Sequence, residues 1–145
     1  MKRVGHTGTL DPAASGVLPL CMGQATRLAE YLSDADKTYV ADVQLGVETD
    51  TYDADGEVVA RADASGITLG DIEAVLPRFR GAFEQTPPMY SAIKRDGVPL
   101  YKLARAGQTI DLPTRSVFVE GLRVLSYEAP KLRLEIDCAK GFYVR

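Results

Sequence analysis

The sequence predicts an α+β fold, a mixed and largely antiparallel sheet flanked by helices. Three observations carry this. Tyr39, Ala41, Val43, Leu45 and Val47 alternate with mostly polar neighbours, and Leu132, Leu134, Ile136 and Cys138 alternate with charges, the period-two pattern of strands with one wet face. Ile72, Val75, Leu76 and Phe79 repeat instead at helical spacing, forming one apolar stripe. Strands and helices do not follow one another in a regular βαβ rhythm, so a doubly wound parallel sheet is not expected.

Taken in chain order, residues 5–16 are rich in Gly, Thr, Asp and Pro and read as a structured loop. Residues 25–32 read as a helix with Leu28, Tyr31 and Leu32 on one face. Residues 39–47 form the first long strand. Asp53-Ala54-Asp55-Gly56 is a turn, and residues 57–60 continue as a short strand. Thr68 with Asp71 opens the next helix as an acidic variant of the capping box, and Pro77 kinks or shortens it. Residues 85–107 break the pattern with Pro87, Pro88, Gly97, Pro99 and Gly107. Residues 116–127 and 131–138 are strands joined at 128–130.

Size and composition suit one globular domain with one core. No apolar run approaches the roughly 20 residues that span a bilayer. The first five residues are basic with no apolar stretch behind them, so no secretory signal is visible and a cytoplasmic protein is expected. Cys21 and Cys138 sit in separate apolar stretches and read as buried thiols. One histidine and no close cysteine pair argue against a metal site.

The formal net charge of -3 argues mildly against a nucleic-acid partner. Its distribution softens that. Residues 34–57 carry eight acidic side chains against one lysine, whereas residues 94–115 carry Lys94, Arg95, Lys102, Arg105 and Arg115 against two aspartates. The second stretch is where a polyanion would dock.

Gly5-His6-Thr7-Gly8-Thr9-Leu10-Asp11-Pro12 is the most informative stretch. Pro12 holds Asp11 toward an extended backbone. Residue types alone favour a simple capping role for that acid. Arg145, after Lys140-Gly141-Phe142-Tyr143-Val144, could fork onto a carboxylate or end a strand in solvent. Tyr39 is a core tyrosine by default and a base-stacking ring otherwise. Tyr90 and Tyr101, interleaved with Lys94, Arg95, Lys102 and Arg105, make either an ordered surface loop or an RNA contact. His6 stands alone. No Ser-His-Asp or Cys-His arrangement and no Walker-type phosphate loop is readable.

Together these stretches resemble the TruB family, the tRNA pseudouridine-55 synthases. The segment from Gly5 to Pro19 looks like the family's catalytic motif, continued by Gly23-Gln24-Ala25-Thr26-Arg27. Lys37-Thr38-Tyr39, Thr49 to Gly56, Gln85 to Lys94 and Cys138 to Arg145 match in order. The resemblance implies a pseudouridine synthase fold with an RNA-clasping insertion at about 85–115. It implies Asp11 as nucleophile, Arg145 as its partner and Tyr39 as the ring that meets the target uracil. His6, Thr9 and Tyr143 would bind substrate, as would Tyr90, Lys94, Arg95, Lys102 and Arg105 of the insertion. The partner would be the tRNA T stem–loop, with no cofactor, no metal and no membrane, and the protein would act as a monomer.

The family's upstream Lys-Pro-x-Gly-x-Thr-Ser element and its C-terminal RNA-binding domain are not found within 1–145, so the chain is expected to be a partial catalytic domain. Two rivals remain. A non-catalytic tRNA-binding or folding module would keep the clasp but leave Asp11 idle. A glycosidic-bond hydrolase would need a second carboxylate, from Asp50, Asp53 or Asp55.

Overall fold

The computed structural model describes residues 3–108 and 110–145. Strand β1 (Val4–His6) pairs antiparallel with β2 (Leu20–Met22), and a 3-10 turn at Gly23–Leu28 leads into the short helix α1 (Ala29–Ser33). Strand β3 (Lys37–Gln44) turns at Gly46 into β4 (Val47–Thr49), which pairs with β5 (Val58–Arg61). Helix α2 (Leu69–Val75) continues as a 3-10 turn and delivers β6 (Gly81–Gln85). A small unit follows, a hairpin of β7 (Lys94–Arg95) and β8 (Val98–Pro99) with helix α3 (Leu100–Arg105). The chain then makes β9 (Arg115–Glu128) and β10 (Lys131–Cys138).

The main sheet has the order β3-β10-β9-β6, and every neighbouring pair is antiparallel. Its inner face buries Leu132, Ile136 and Cys138 of β10 and Val119 and Leu122 of β9, and Ile72 and Leu76 close over them. Burying each such aliphatic side chain stabilises the fold by roughly 1.5–3 kcal/mol. On the wet face opposite charges sit across the ladders. Arg123 pairs with Glu135, and Arg133 lies 3.6 Å from Asp42. These exposed pairs tune register more than stability. Both cysteines are buried and free. Among the described residues no helix is long and apolar enough to cross a membrane.

The capping box forms as the sequence implies. The Asp71 amide donates to the Thr68 hydroxyl at 3.2 Å, and the Thr68 amide donates to the Asp71 carboxylate at 2.8 Å. Thr68→Ala should lower the unfolding free energy by about 1 kcal/mol in urea titrations, with fluorescence and circular dichroism transitions still coincident.

Four expectations need correction. The loop at 5–16 begins two residues late, because Gly5 and His6 belong to β1. The strand expected over 39–47 ends at Gln44. Gly46, at φ 77°, turns the chain there, and a Cβ on it would meet the Ala62 carbonyl oxygen at 2.4 Å. The helix expected over 25–32 is half a 3-10 turn, through Leu28, and half α-helix, from Ala29, and its Leu28, Tyr31 and Leu32 are exposed rather than facing the core. Residues 85–107 hold a hairpin and a helix. Asp96 and Gly97 both have positive φ, the two-residue turn that Asp-Gly favours.

Candidate active site

Asp11 sits in the arch that joins β1 to β2. The Thr7 amide donates to the Pro19 carbonyl at 3.3 Å and closes the base of the arch. At its crown the Ala14 amide donates to the Asp11 carbonyl at 2.9 Å, a turn with Pro12 in the second position, where its fixed φ fits. The Asp11 carboxylate caps no helix. It accepts a hydrogen bond from Nη2 of Arg145.

Arg145 is the centre of the arrangement. Its side chain is 10% exposed, against 50% for Asp11, so a buried cation meets a half-open anion. Burial pushes the guanidinium pKa down from the ordinary arginine value, yet an arginine stays protonated in proteins. Its other terminal nitrogen, Nη1, donates to Oδ2 of Asp53 at 2.9 Å. Asp53 is itself fixed, because its Oδ1 accepts from the Thr51 hydroxyl at 2.6 Å and from the Asp55 amide at 3.1 Å. Gly56 lets the turn fold this tightly. A Cβ there would lie 2.2 Å from the Thr51 hydroxyl and 2.5 Å from Oδ1 of Asp50. One guanidinium thus bridges the arch to the acidic turn, a planar fork that no lysine reproduces.

Arg145 also lines a cleft of about 620 Å³, whose lining residues do not include Asp11. Tyr52, Tyr90 and Tyr143 line it together with Gln85, Pro87 and Pro88. Tyr52 is held at φ 59°, a conformation that costs a non-glycine residue energy and marks functional loops. Gln85 clamps the backbone beside the cleft. Its Nε2 donates to the Tyr143 carbonyl and its Oε1 accepts from the Tyr143 amide, both at 3.0 Å.

The remaining candidates lie further out. Lys94 and Arg95 project from β7 and Lys102 and Arg105 from α3, all exposed, with Arg105 5.6 Å over the Tyr101 ring. Leu100, wholly buried, anchors this unit. His6 and Thr9 are exposed on β1 and the arch. Tyr39 lies on β3 opposite Ile136, half-buried against the core, and is not among the residues lining the cleft.

Burial first, then the neighbouring Cys138, pushes the Tyr39 phenol pKa up, and burial pushes up the Cys138 thiol. Both groups are neutral when protonated, so the stability they contribute is complete below their ordinary values and lost as pH rises through the raised ones. Alkaline melting should show this decline from about pH 9, the ordinary thiol value, and more steeply above about pH 10, the ordinary tyrosine value, and Tyr39→Phe should make the decline shallower.

A model of the TruB family pseudouridylate synthase N-terminal domain matches residues 1–144. The chain belongs to the TruB family. The tRNA pseudouridine synthase B of Ectopseudomonas mendocina is 55% identical to it over 146 residues, covering 99% of this chain and 47% of that protein. The synthase of the same name from Francisella philomiragia is 49% identical, covering 99% and 48%. The chain therefore spans about half the length of the curated relatives it matches. One chain in the crystal structure of a Cbf5-Nop10-Gar1 complex superposes with a TM-score of 0.67 at 28% identity, covering 100% of this chain and 33% of that one. The architecture is accordingly the α+β pseudouridine synthase fold expected of a TruB-family sequence.

Two site residues of this TruB-family chain escaped the sequence reading. Asp53 was legible only as a turn residue, or as a hydrolase's second acid. The hydroxyls at Thr49 and Thr51 were the available signal, since Thr49 donates to the Asp53 carbonyl at 2.7 Å. Gln85 stood in a matched motif without a role. Nothing in its neighbours announces a contact with Tyr143, 58 residues on.

Proposed function

We propose that this protein isomerises uridine 55 in the T loop of tRNA to pseudouridine. The supporting observation is the half-exposed Asp11 carboxylate held by the largely covered Arg145, a residue that also lines a cleft walled by tyrosines. The reaction breaks the N1–C1′ bond and joins C5 to C1′. No electrons are gained or lost overall, so the chemistry asks for no redox cofactor. Asp11 attacks C1′ as the N1–C1′ bond breaks and is released when C5 bonds C1′, C5 losing a proton and N1 gaining one, while Arg145 holds the carboxylate in place. A stacked uridine is out of reach, so the nucleotide flips out at a cost of a few kcal/mol. Stacking on an aromatic ring returns about 1–3 kcal/mol per base, and Tyr39 is proposed to meet the uracil and to take part in proton transfer.

Residues 85–115 act as the clasp on the T stem–loop. Their exposed Lys94, Arg95, Lys102 and Arg105 neutralise phosphates, while His6, Thr9, Tyr90 and Tyr143 bind the loop. The protein works as a cytoplasmic monomer, and 1–145 is a partial catalytic domain. Hydrolysis of a sugar bond fits less well. Asp53 spends its oxygens on Arg145, Thr51 and Asp55, which leaves it no free oxygen as a second catalytic acid.

The test is incubation of the full-length protein with a T-arm stem–loop transcript, followed by carbodiimide mapping of pseudouridine. Label at the T-loop uridine and none in the stem is expected. An unlabelled T loop would refute the proposal, and RNA binding without label would favour a tRNA-binding module.

A further inference from the structure

The geometry points to Gln85 as the positioning residue that aims Arg145, an inference that rests on the function proposed above. Residues 142–145 leave β10 and run without a strand partner, so the ladder does not fix the arginine they carry. Two side chains of β6 do that instead. Phe83 and Gln85 lie two apart on the strand, hence on one face. Phe83 meets Phe142 edge to face, with ring centroids 6.3 Å apart at 83°. Gln85 closes a two-bond ring with the Tyr143 peptide, donating and accepting at 3.0 Å each way. Its amide thereby stands in for the missing strand, satisfying the backbone N–H and C=O of one residue.

Arg145 follows two residues later, so the clamp sets the point from which its fork reaches Asp11 and Asp53. Gln85 is half-buried at the cleft wall, and removal of its amide leaves the Tyr143 peptide without those two partners. The guanidinium then drifts from a fork that needs both carboxylates placed together. Phe83–Phe142 packing keeps the segment docked, so the expected fault is aim rather than unfolding.

The test is a double-mutant cycle in the full-length protein, with Gln85→Ala and Arg145→Lys, read by single-turnover isomerisation of the T-arm transcript. Gln85→Ala should lower the rate by about 100-fold, the scale of a misplacement near 1 Å, with a much smaller change in the RNA dissociation constant. In the Arg145→Lys background the same change should cost less than about threefold, because the fork it serves is already gone. The cycle is also read in urea unfolding, which needs no activity and judges the clamp even where the wild type leaves the T loop unlabelled. Non-additive losses are expected in both readouts. A wild-type rate for Gln85→Ala, or additive losses, would overturn the inference, since plain structural support is additive with the fork.

Discussion

Asp11→Asn will abolish isomerisation, by on the order of 10⁴-fold or more, the scale seen when a nucleophile is taken from a catalytic unit. Asparagine keeps the shape and an oxygen for Arg145 but has no charge with which to attack a sugar carbon. The fold should survive, because Arg145 retains the Asp53 carboxylate at 2.9 Å and its buried cation is not stranded. Binding of the T arm should stay within about threefold, since the basic side chains of the hairpin and α3 are untouched. Single-turnover assays and filter binding on one preparation would separate the two effects. Retained isomerisation in the asparagine variant would remove Asp11 from the chemistry.

Arg145→Met and Arg145→Lys should part company. Methionine keeps much of the apolar stem and loses the cation, leaving the Asp11 and Asp53 carboxylates on either side of an uncharged gap. Breaking a buried pair in this way costs about 3–5 kcal/mol. The lower end is expected, because Asp11 is half exposed and partly solvated already. The rate should fall on the order of 10³-fold, as when an electrostatic partner of the reacting group is lost. Lysine should restore most of the stability but little of the rate, because its point charge cannot face both carboxylates in one plane. Urea titration and single-turnover kinetics on the same variants test this. A lysine enzyme as fast as the wild type would leave the fork without function.

What the sequence disclosed follows physical range. Period-two and period-3.6 patterns are local, so β9, β10, α2 and its Thr68–Asp71 cap could be read to within a residue or two. The central pair of strands is joined by a short turn, but its register shifts at Arg133/Leu134 and Asp137/Cys138, which the alternation of either strand does not announce. Gly46 and the Asp96-Gly97 hairpin were present in the sequence but were read as part of a strand and as irregular loop, because turn signals are one or two residues long. The helical stretch at 25–32 is present, but its apolar residues do not reach the core and its first half tightens to a 3-10 turn. Asp11 and Arg145 stood out only through the resemblance of their motifs, since residue types alone favoured a cap and a strand end. The Asp53 and Gln85 contacts span 92 and 58 residues, and no local pattern encodes a meeting at that distance.

The bond between Asp11 and Arg145 joins residues 134 positions apart. At roughly 5–20 residues per second of synthesis, the acid is made on the order of ten seconds before its cation. Throughout that interval a nascent polypeptide carries the Asp11 carboxylate without the guanidinium that the finished structure sets against it, and on the function proposed above it would not yet isomerise RNA. The pairing waits for the segment after β10, which lies against β6 and brings the guanidinium between the two acids.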